Sequence, residues 1–430
     1  MFPRNSRRAL SAALCGLLLT APGFAGTLGL LRVTGSSGNQ PSSNLLEPAI
    51  ADSALVIAYS TTARNLGLDH GTGSAQIFVQ DAATNALELA SVSSAGQPGL
   101  GNSVQPSLSA DARYVAFASF AGNLVGGPSP GVLSVYRRDR QSGTTLRVAN
   151  GIGATANGQA RFPVLSGNGR FVAYYSSASN LVSGDSNGLA DLFLTDMQSG
   201  STERLSLADS GLQSANGALE NWMPMLSADA RYAVFASSST NLVTTPATGS
   251  GQIYLRDRQL QRTQMLSING QGQAGSNSSD VPSISANGRY VAFRSFATNL
   301  IAGPHSGLFR LDRSSGALIA LPLPASGFAC SVPAVNNLGE VSYVCSDPNS
   351  TIQAWLFRPP ATLFNLSEAN TGGVSNGNVS GAHALGSGGR LMAYSSTATN
   401  IVSGDTNGFT DLFLLVDIER LSLLFADGFE

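Results

Sequence analysis

A fifteen-residue segment, Gln105-Pro106-Ser107-Leu108-Ser109-Ala110-Asp111-Ala112-Arg113-Tyr114-Val115-Ala116-Phe117-Ala118-Ser119, recurs with small changes from one end of the chain to the other. Self-similarity at a near-constant spacing marks a propeller, a solenoid or an array. Aligned on the proline that opens each copy, the repeats begin at Pro48, Pro106, Pro163, Pro224, Pro282 and Pro333. His383 stands in that place in the seventh. Successive copies lie 50 to 61 residues apart. Solenoid turns are about half as long and carry parallel strands.

Each copy reads as four short strands. In the third copy the first is Pro163-Val164-Leu165-Ser166, followed by a tight turn at Gly167-Asn168-Gly169. The second runs from Arg170 to Ser176, the third from Asp191 to Asp196, and the fourth from Glu203 to Leu207. These are β-branched and aromatic runs of strand length bounded by turn residues. Connections this short make the strands antiparallel neighbours. Both faces of such a sheet are apolar, so it needs a neighbour on each side, and stacked sheets lie about 10 Å apart. The expected fold is an all-β, seven-bladed β-propeller of four-stranded antiparallel blades.

Leu30-Leu31-Arg32-Val33-Thr34 precedes the first opening proline and matches fourth strands such as Thr145-Leu146-Arg147-Val148-Ala149. It can therefore complete the last blade and lock the ring. Glu419-Arg420-Leu421-Ser422-Leu423 is a second candidate for the same place. One of the two is surplus, and the sequence leaves open which closes the ring.

The first 25 residues read as an export signal rather than part of the fold. Arg4, Arg7 and Arg8 form a positive start, Leu10 to Ala21 an apolar stretch, and Gly23-Phe24-Ala25 a small-residue cleavage site. The apolar stretch is too short to span a bilayer. Ser6-Arg7-Arg8 is a weak match to a twin-arginine signal, and Cys15 lacks the setting of a lipidation site. Loss of Arg4, Arg7 and Arg8 takes the net charge from −2 to −5. The expected division is a signal peptide over 1–25, the propeller over 26–424 and a short tail over 425–430, in a periplasmic or secreted monomer. No later segment is apolar enough to cross a membrane. All 24 basic residues are arginine, and they are scattered, so the basic stripe of a nucleic-acid reader is missing.

The repeat core Pro-x-Leu-Ser-x-Asp/Asn-x-Arg-Tyr/Phe-Val-Ala-Phe/Tyr resembles that of the TolB-type, WD-like β-propellers of bacterial envelopes. The resemblance covers nearly all of the chain after residue 25 and implies the fold, not an activity. A TolB protein carries an α/β domain before its propeller, and only 22 residues lie here between Ala25 and Pro48. The Asn-Leu-Val/Ile signature at Asn65, Asn123, Asn180, Asn241, Asn299 and Asn400 points to a secreted bacterial subtype. Its even recurrence suggests an Asx-turn or left-handed position, with the next residue packed between blades.

Few residues suggest chemistry. Two loops share an acidic motif, Asp185-x-Asn187-Gly188-x-x-Asp191 and Asp405-x-Asn407-Gly408-x-x-Asp411. Oxygen groups at alternate positions around a glycine suit a structural Ca²⁺. The competing reading is an Asx-turn that satisfies loop N–H groups. No other cofactor is implied. Gly127-Pro128-Ser129-Pro130-Gly131 matches the serine-hydrolase elbow in letters only, because no strand–turn–helix surrounds it. His70, His305 and His383 occupy unrelated repeat positions. Arg113, Arg170, Arg231, Arg289 and Arg390 share one repeat position, where a turn aspartate is the expected partner. Glu340, Trp355 and Glu220-Asn221-Trp222 break the repeat. Cys330 and Cys345 are the cysteines outside the leader, and a two-residue turn between Asn336 and Gly339 would set them opposite each other as a disulfide. The function expected is a non-enzymatic binding or scaffold module for a protein or envelope glycan. The alternative is a hydrolase or lyase with its site at the channel mouth.

Overall fold

In the computed structural model the described residues are 19–20, 28–33 and 38–417, without 52–53, 69, 72, 128–130, 219–222, 246–249 and 304. They form seven four-stranded antiparallel sheets arranged as a β-propeller, and no helix occurs among them. Blade 1 begins with Leu46–Ala51, blade 2 with Ser103–Leu108, blade 3 with Ala160–Leu165 and blade 4 with Met225–Leu226. Blades 5, 6 and 7 begin with Ser279–Ile284, Ala329–Val335 and Val379–Leu385. These first strands pack against one another around the axis, blade 7 against blade 1 included.

The last blade settles the closure. Its third strand, Asp411–Asp417, pairs with Val379–Leu385 through Leu391–Ser396 on one side and with the N-terminal strand Leu28–Arg32 on the other. The fourth strand of blade 7 therefore comes from the opposite end of the chain. Leu19–Thr20 add a short fifth strand beside it. Residues 1–18 and 21–27, Pro128-Ser129-Pro130, Glu220 to Trp222, the strand candidate Glu419–Leu423 and residues 425–430 lie outside the described residues.

Seven apolar clusters hold the ring, each shared by two neighbouring blades. Inside six blades a second-strand ring lies opposite a third-strand ring, as in Tyr174–Phe193 and Tyr394–Phe413, with centroids 5.5 to 6.2 Å apart. Offset pairs at this spacing add to the burial.

The opening proline has a structural reason. In blades 1, 2, 3, 5 and 6 the residue before it, Glu47, Gln105, Phe162, Val281 or Val332, has φ between 50° and 58°. At this point the register between first and second strands shifts by a β-bulge. Proline fits because the bulge leaves its nitrogen without a ladder partner. The bulges also stitch blades together: the Gln105 N–H donates to Glu47 at 2.7 Å, and the Phe162 N–H to Gln105 at 2.8 Å.

Cys330 and Cys345 lie directly opposite, with Cα atoms 4.0 Å apart, and are joined by a disulfide. The register arises differently from the expected one. The hairpin reverses over Asn336 to Glu340, and Val335 pairs with Val341, one residue off the two-residue-turn register. The bulge between Ser331 and Ala334 restores the offset before Cys330 is reached.

Candidate functional site

The two faces of the disc differ in chemistry. One carries the tight turns between first and second and between third and fourth strands. The other carries the long loops after the second strands together with the linkers between blades.

On the turn face the charges are absorbed by the scaffold. Arg113, Arg170, Arg231 and Arg289 each grip an aspartate at the end of the third strand: Asp139, Asp196, Asp257 and Asp312. Nε and Nη2 both donate, as Arg170 does to the two oxygens of Asp196 at 2.8 and 2.6 Å. The partner is thus the aspartate heading the second hairpin turn, while Asp111 of the first turn accepts the backbone N–H of Arg113. The arginine holds Asp139, Asp196 and Asp312 well below the usual carboxylate range. Arg113 and Arg137 sandwich the Tyr114 ring at 4.9 and 4.4 Å, and Arg231 and Arg313 sandwich Tyr232 at 4.8 and 4.0 Å. Arg140–Glu88 and Arg258–Glu203 tie neighbouring blades. In blade 6 the polarity is reversed: Glu340 takes the arginine's place, and Arg358 binds it at 2.8 Å. In blade 7 Arg390 meets Asp417 through its backbone carbonyl. The first hairpin turns of blades 2 to 4 also donate to their successors, Ala110 to Gly167, Gly167 to Ala228 and Ala228 to Ala286.

On the loop face the recurrent asparagines act as clips. Asn123 donates to the Pro98 carbonyl and accepts the Leu100 N–H, both at 2.9 Å. Asn65, Asn180, Asn241 and Asn299 grip the linker entering their own blade in the same way. Asn400 accepts from Asn376. Of the two expectations, an Asx-turn or a left-handed position, the second is not met: none of the six has a positive φ, and the side chain makes the contacts. The following Leu66, Leu124, Leu181, Leu242, Leu300 and Ile401 are buried.

Both acidic loops enclose an arginine. The Arg204 Nη1 lies 3.6 Å from Asp185 and 3.4 Å from Asp191. The Arg32 Nη1 lies 3.4 Å from Asp405 and 3.5 Å from Asp411. Asn187 and Asn407 accept the N–H two residues on and donate to Asp191 and Asp411. In blades 1 and 4 the position of Asp191 is held by Gln76 and Gln252. Each accepts from a serine two residues past the fourth strand, Ser91 or Ser267, as Asp191 does from Ser206. The slot is therefore an ordinary scaffold position, filled by an amide or by a carboxylate with a counter-charge. Burial pushes Asp411 up to about 6, with Asp405 adding to the rise. The arginine was missed because its sequence partner in blade 7 comes from the other end of the chain. The pairing of Arg204 with two such aspartates in one copy was the available signal.

The remaining candidates stay apart. His70 is buried in blade 1 with its ring edge on Phe78, His305 is exposed in a loop of blade 5, and His383 lies half-buried on the first strand of blade 7. Trp355 packs edge-on against Phe328. Among the described residues no three His, Cys, Asp or Glu side chains are grouped to hold a metal ion.

The loop face has apolar exposure instead. Fourteen large apolar side chains are exposed among the described residues, and only Leu146, Leu260 and Leu338 lie elsewhere. Leu100, Ile152 and Leu212 of the linkers are 63 to 72% exposed. Phe120 and Phe296 occupy one repeat position at the end of the second strand and are 55 and 45% exposed. A cleft of about 1130 Å³ opens between blades 4 and 5, lined among others by Asp209, Gln264, Asn269 and Leu318.

No family model matches this sequence, and no curated protein does. Solved structures do. An oligogalacturonate lyase in complex with manganese superposes with a TM-score of 0.56 at 13% identity, over 93% of this chain and 96% of that one. A prolyl endopeptidase gives 0.51 at 12% identity, over 94% of this chain and 52% of that one. TolB from Acinetobacter baumannii gives 0.39 at 18% identity, over 73% of this chain and 67% of that one. For the lyase and the endopeptidase the likeness is one of fold.

Proposed function

We propose that this protein is a non-enzymatic recognition module that engages a protein or an envelope glycan through its loop face. The observation that carries the reading is the division of labour between the faces. Charges of the turn face are spent on Arg–Asp grips and inter-blade ties, while eleven exposed large apolar side chains gather on the loop face. Apolar exposure on one side of a disc, away from the ion-paired face, supports a contact surface there. The leader-like N-terminus and the Cys330–Cys345 disulfide support a site of action outside the cytoplasm.

The test is capture from an envelope extract and on a glycan array, with variants as controls. Phe120→Ser with Phe296→Ser is expected to lower capture about tenfold or more, since a few large contacts carry most of the energy of recognition. Leu260→Ser, off that face, is expected to leave it unchanged. Equal capture by both variants would overturn the reading. The competing reading, a lyase or hydrolase at the channel mouth, has the shared fold with the oligogalacturonate lyase behind it. Release of unsaturated or hydrolysed products from polysaccharide or peptide substrates would establish it in place of the binding role.

A further inference from the structure

The outermost strand of a blade presents a backbone edge, and blades 2 and 4 cover theirs with the linker that enters them. In blade 2 the Thr145 N–H donates to the Ser94 hydroxyl at 3.0 Å, and the Thr145 hydroxyl to the Val92 carbonyl at 2.5 Å. In blade 4 the Thr263 N–H donates to Asp209 at 2.6 Å, and its hydroxyl to the Leu207 carbonyl at 2.5 Å. Blade 5 lacks the side chains for both bonds. The bridges Val92–Pro98, Leu207–Gln213 and Ile268–Ala274 set Gly270 in the place of Ser94 and Asp209. The pairing of Leu318 with Leu311 sets it in the place of Thr145 and Thr263. Glycine offers no acceptor there, and leucine no hydroxyl. Nor does the backbone require this glycine: its φ is not left-handed, and a Cβ on it meets nothing within 4 Å.

We propose that the cleft between blades 4 and 5 binds an extended peptide segment of a partner protein, whose backbone carbonyl accepts from the Leu318 N–H and whose backbone N–H donates to the Ile268 carbonyl. Ile268, Gly270 and Leu318 all line this cleft of about 1130 Å³. A peptide backbone brings both an acceptor and a donor. The edge also has a peptide's period. Leu321 donates to the Leu308 carbonyl, so Ile319 faces the third strand as well, while Leu318 and Ala320 face away from it. Outward groups two residues apart match an extended chain. Main-chain pairing with such an edge is a recurrent mode of peptide recognition. The ionisable side chains lining the cleft are Asp209 and Arg262, one of each sign, so it complements an uncharged backbone better than an acidic glycan. Ile301 and Leu311 offer apolar contact to the peptide's side chains. The site does not rest on the loop-face contacts of Phe120 and Phe296.

A displayed library of random peptides, panned on the full chain, tests this, with Gly270→Asp plus Leu318→Thr as the closed form. The two changes rebuild the Asp209–Thr263 arrangement in blade 5, and the variant is expected to melt at or above the parent temperature. The wild type is expected to enrich peptides that bind the variant at least about tenfold more weakly, because the internal cap takes both backbone hydrogen bonds. N-methylation of one backbone amide of such a peptide should weaken it by about as much. Peptide binding should also slow exchange of the Leu318 amide. Gly270→Ala, which adds a Cβ without an acceptor, should bind as the wild type does. If the double variant does not fold, Gly270→Asp alone carries the comparison. Peptides that bind both forms equally are held elsewhere on the protein and overturn the proposal, as does a wild type that enriches none. Binding indifferent to N-methylation at every position overturns it too. So does a cleft that captures polysaccharides from a glycan array, and loses them in the variant, while enriching no peptide.

Discussion

The two-point grip of Arg113, Arg170 and Arg289 on Asp139, Asp196 and Asp312 leaves a signature in the pH dependence of stability. The grip depresses these carboxyls below their ordinary value of 3.8. A depressed group adds stability that is complete above its unfolded value and is lost as the pH falls through the folded one. Asp411 behaves oppositely. Burial raises it to about 6, so the folded state gains from protonation as the pH drops from there towards 3.8. Asp191 is raised for the same reason. The melting temperature is therefore expected to climb from pH 7 towards pH 4.5 and to fall steeply below 3.8. Asp411→Asn should flatten the upper limb and Arg170→Gln the lower one. A monotonic decline from neutral pH would contradict the assignment. The four gripping arginine side chains are 34 to 49% exposed, so salt should weaken the lower limb as well. Sequence showed that these arginines recur and serve the fold. It hid the partner, because the aspartate lies a strand and a loop away, while a nearer turn aspartate competed for attention.

Within each element the strands were legible and their fine registers were not. Alternation of apolar residues and turn signals located the four strands of each blade. The bulge before the opening proline of blades 1, 2, 3, 5 and 6 was silent, because a backbone kink leaves no apolar pattern. That bulge decides the pairing of Cys330 with Cys345: the turn is one residue longer than the simple hairpin requires, and the kink cancels the error. The asparagine clips show a similar gap. Recurrence implied a structural role, yet the side chain reaches the linker that enters its own blade. Asn241 donates to the Gln213 carbonyl at 2.9 Å and accepts the Ala215 N–H at 3.0 Å. Asn241→Ala removes both partners and leaves Leu242 without an anchored loop, at a cost of about 1–3 kcal/mol. Asn241→Asp keeps the acceptor for Ala215 but sets a carboxylate oxygen against the Gln213 carbonyl, and should cost no less than the alanine change. Denaturant unfolding of the two variants checks the order; an alanine variant as stable as the wild type would show that the clip contributes nothing.

The whole molecule is a ring whose order of blades is less important than its closure. Seven copies in the sequence foretold seven blades, but the choice of closing strand was beyond reach, since two segments carried an arginine followed by an apolar residue, Arg32-Val33 and Arg420-Leu421. The structure places Arg32 in the lock that Arg204 occupies in blade 3, opposite the equivalent phenylalanine and between equivalent aspartates. Blades 3 and 7 thus solve one problem by different connectivity, a hairpin turn in one and the chain's two ends in the other. Exchanging those solutions should leave the ring intact. In a circular permutant that begins at Gly200, Asp417 is joined to Leu28 by four residues copied from Met197–Gly200, and the chain ends at Ser199. Leu28 and Asp417 already lie opposite each other, and four residues is the length that joins Asp196 to Ser201 in blade 3, where the Asp196 N–H donates to the Ser201 carbonyl at 2.9 Å. Arg204 then becomes the arginine of the closing strand. The permutant is expected to fold and to melt cooperatively within a few degrees of the parent. A fall of about 10 °C, several kcal/mol for a domain of this size, would mean that blade 7 depends on something its fourth strand alone does not supply.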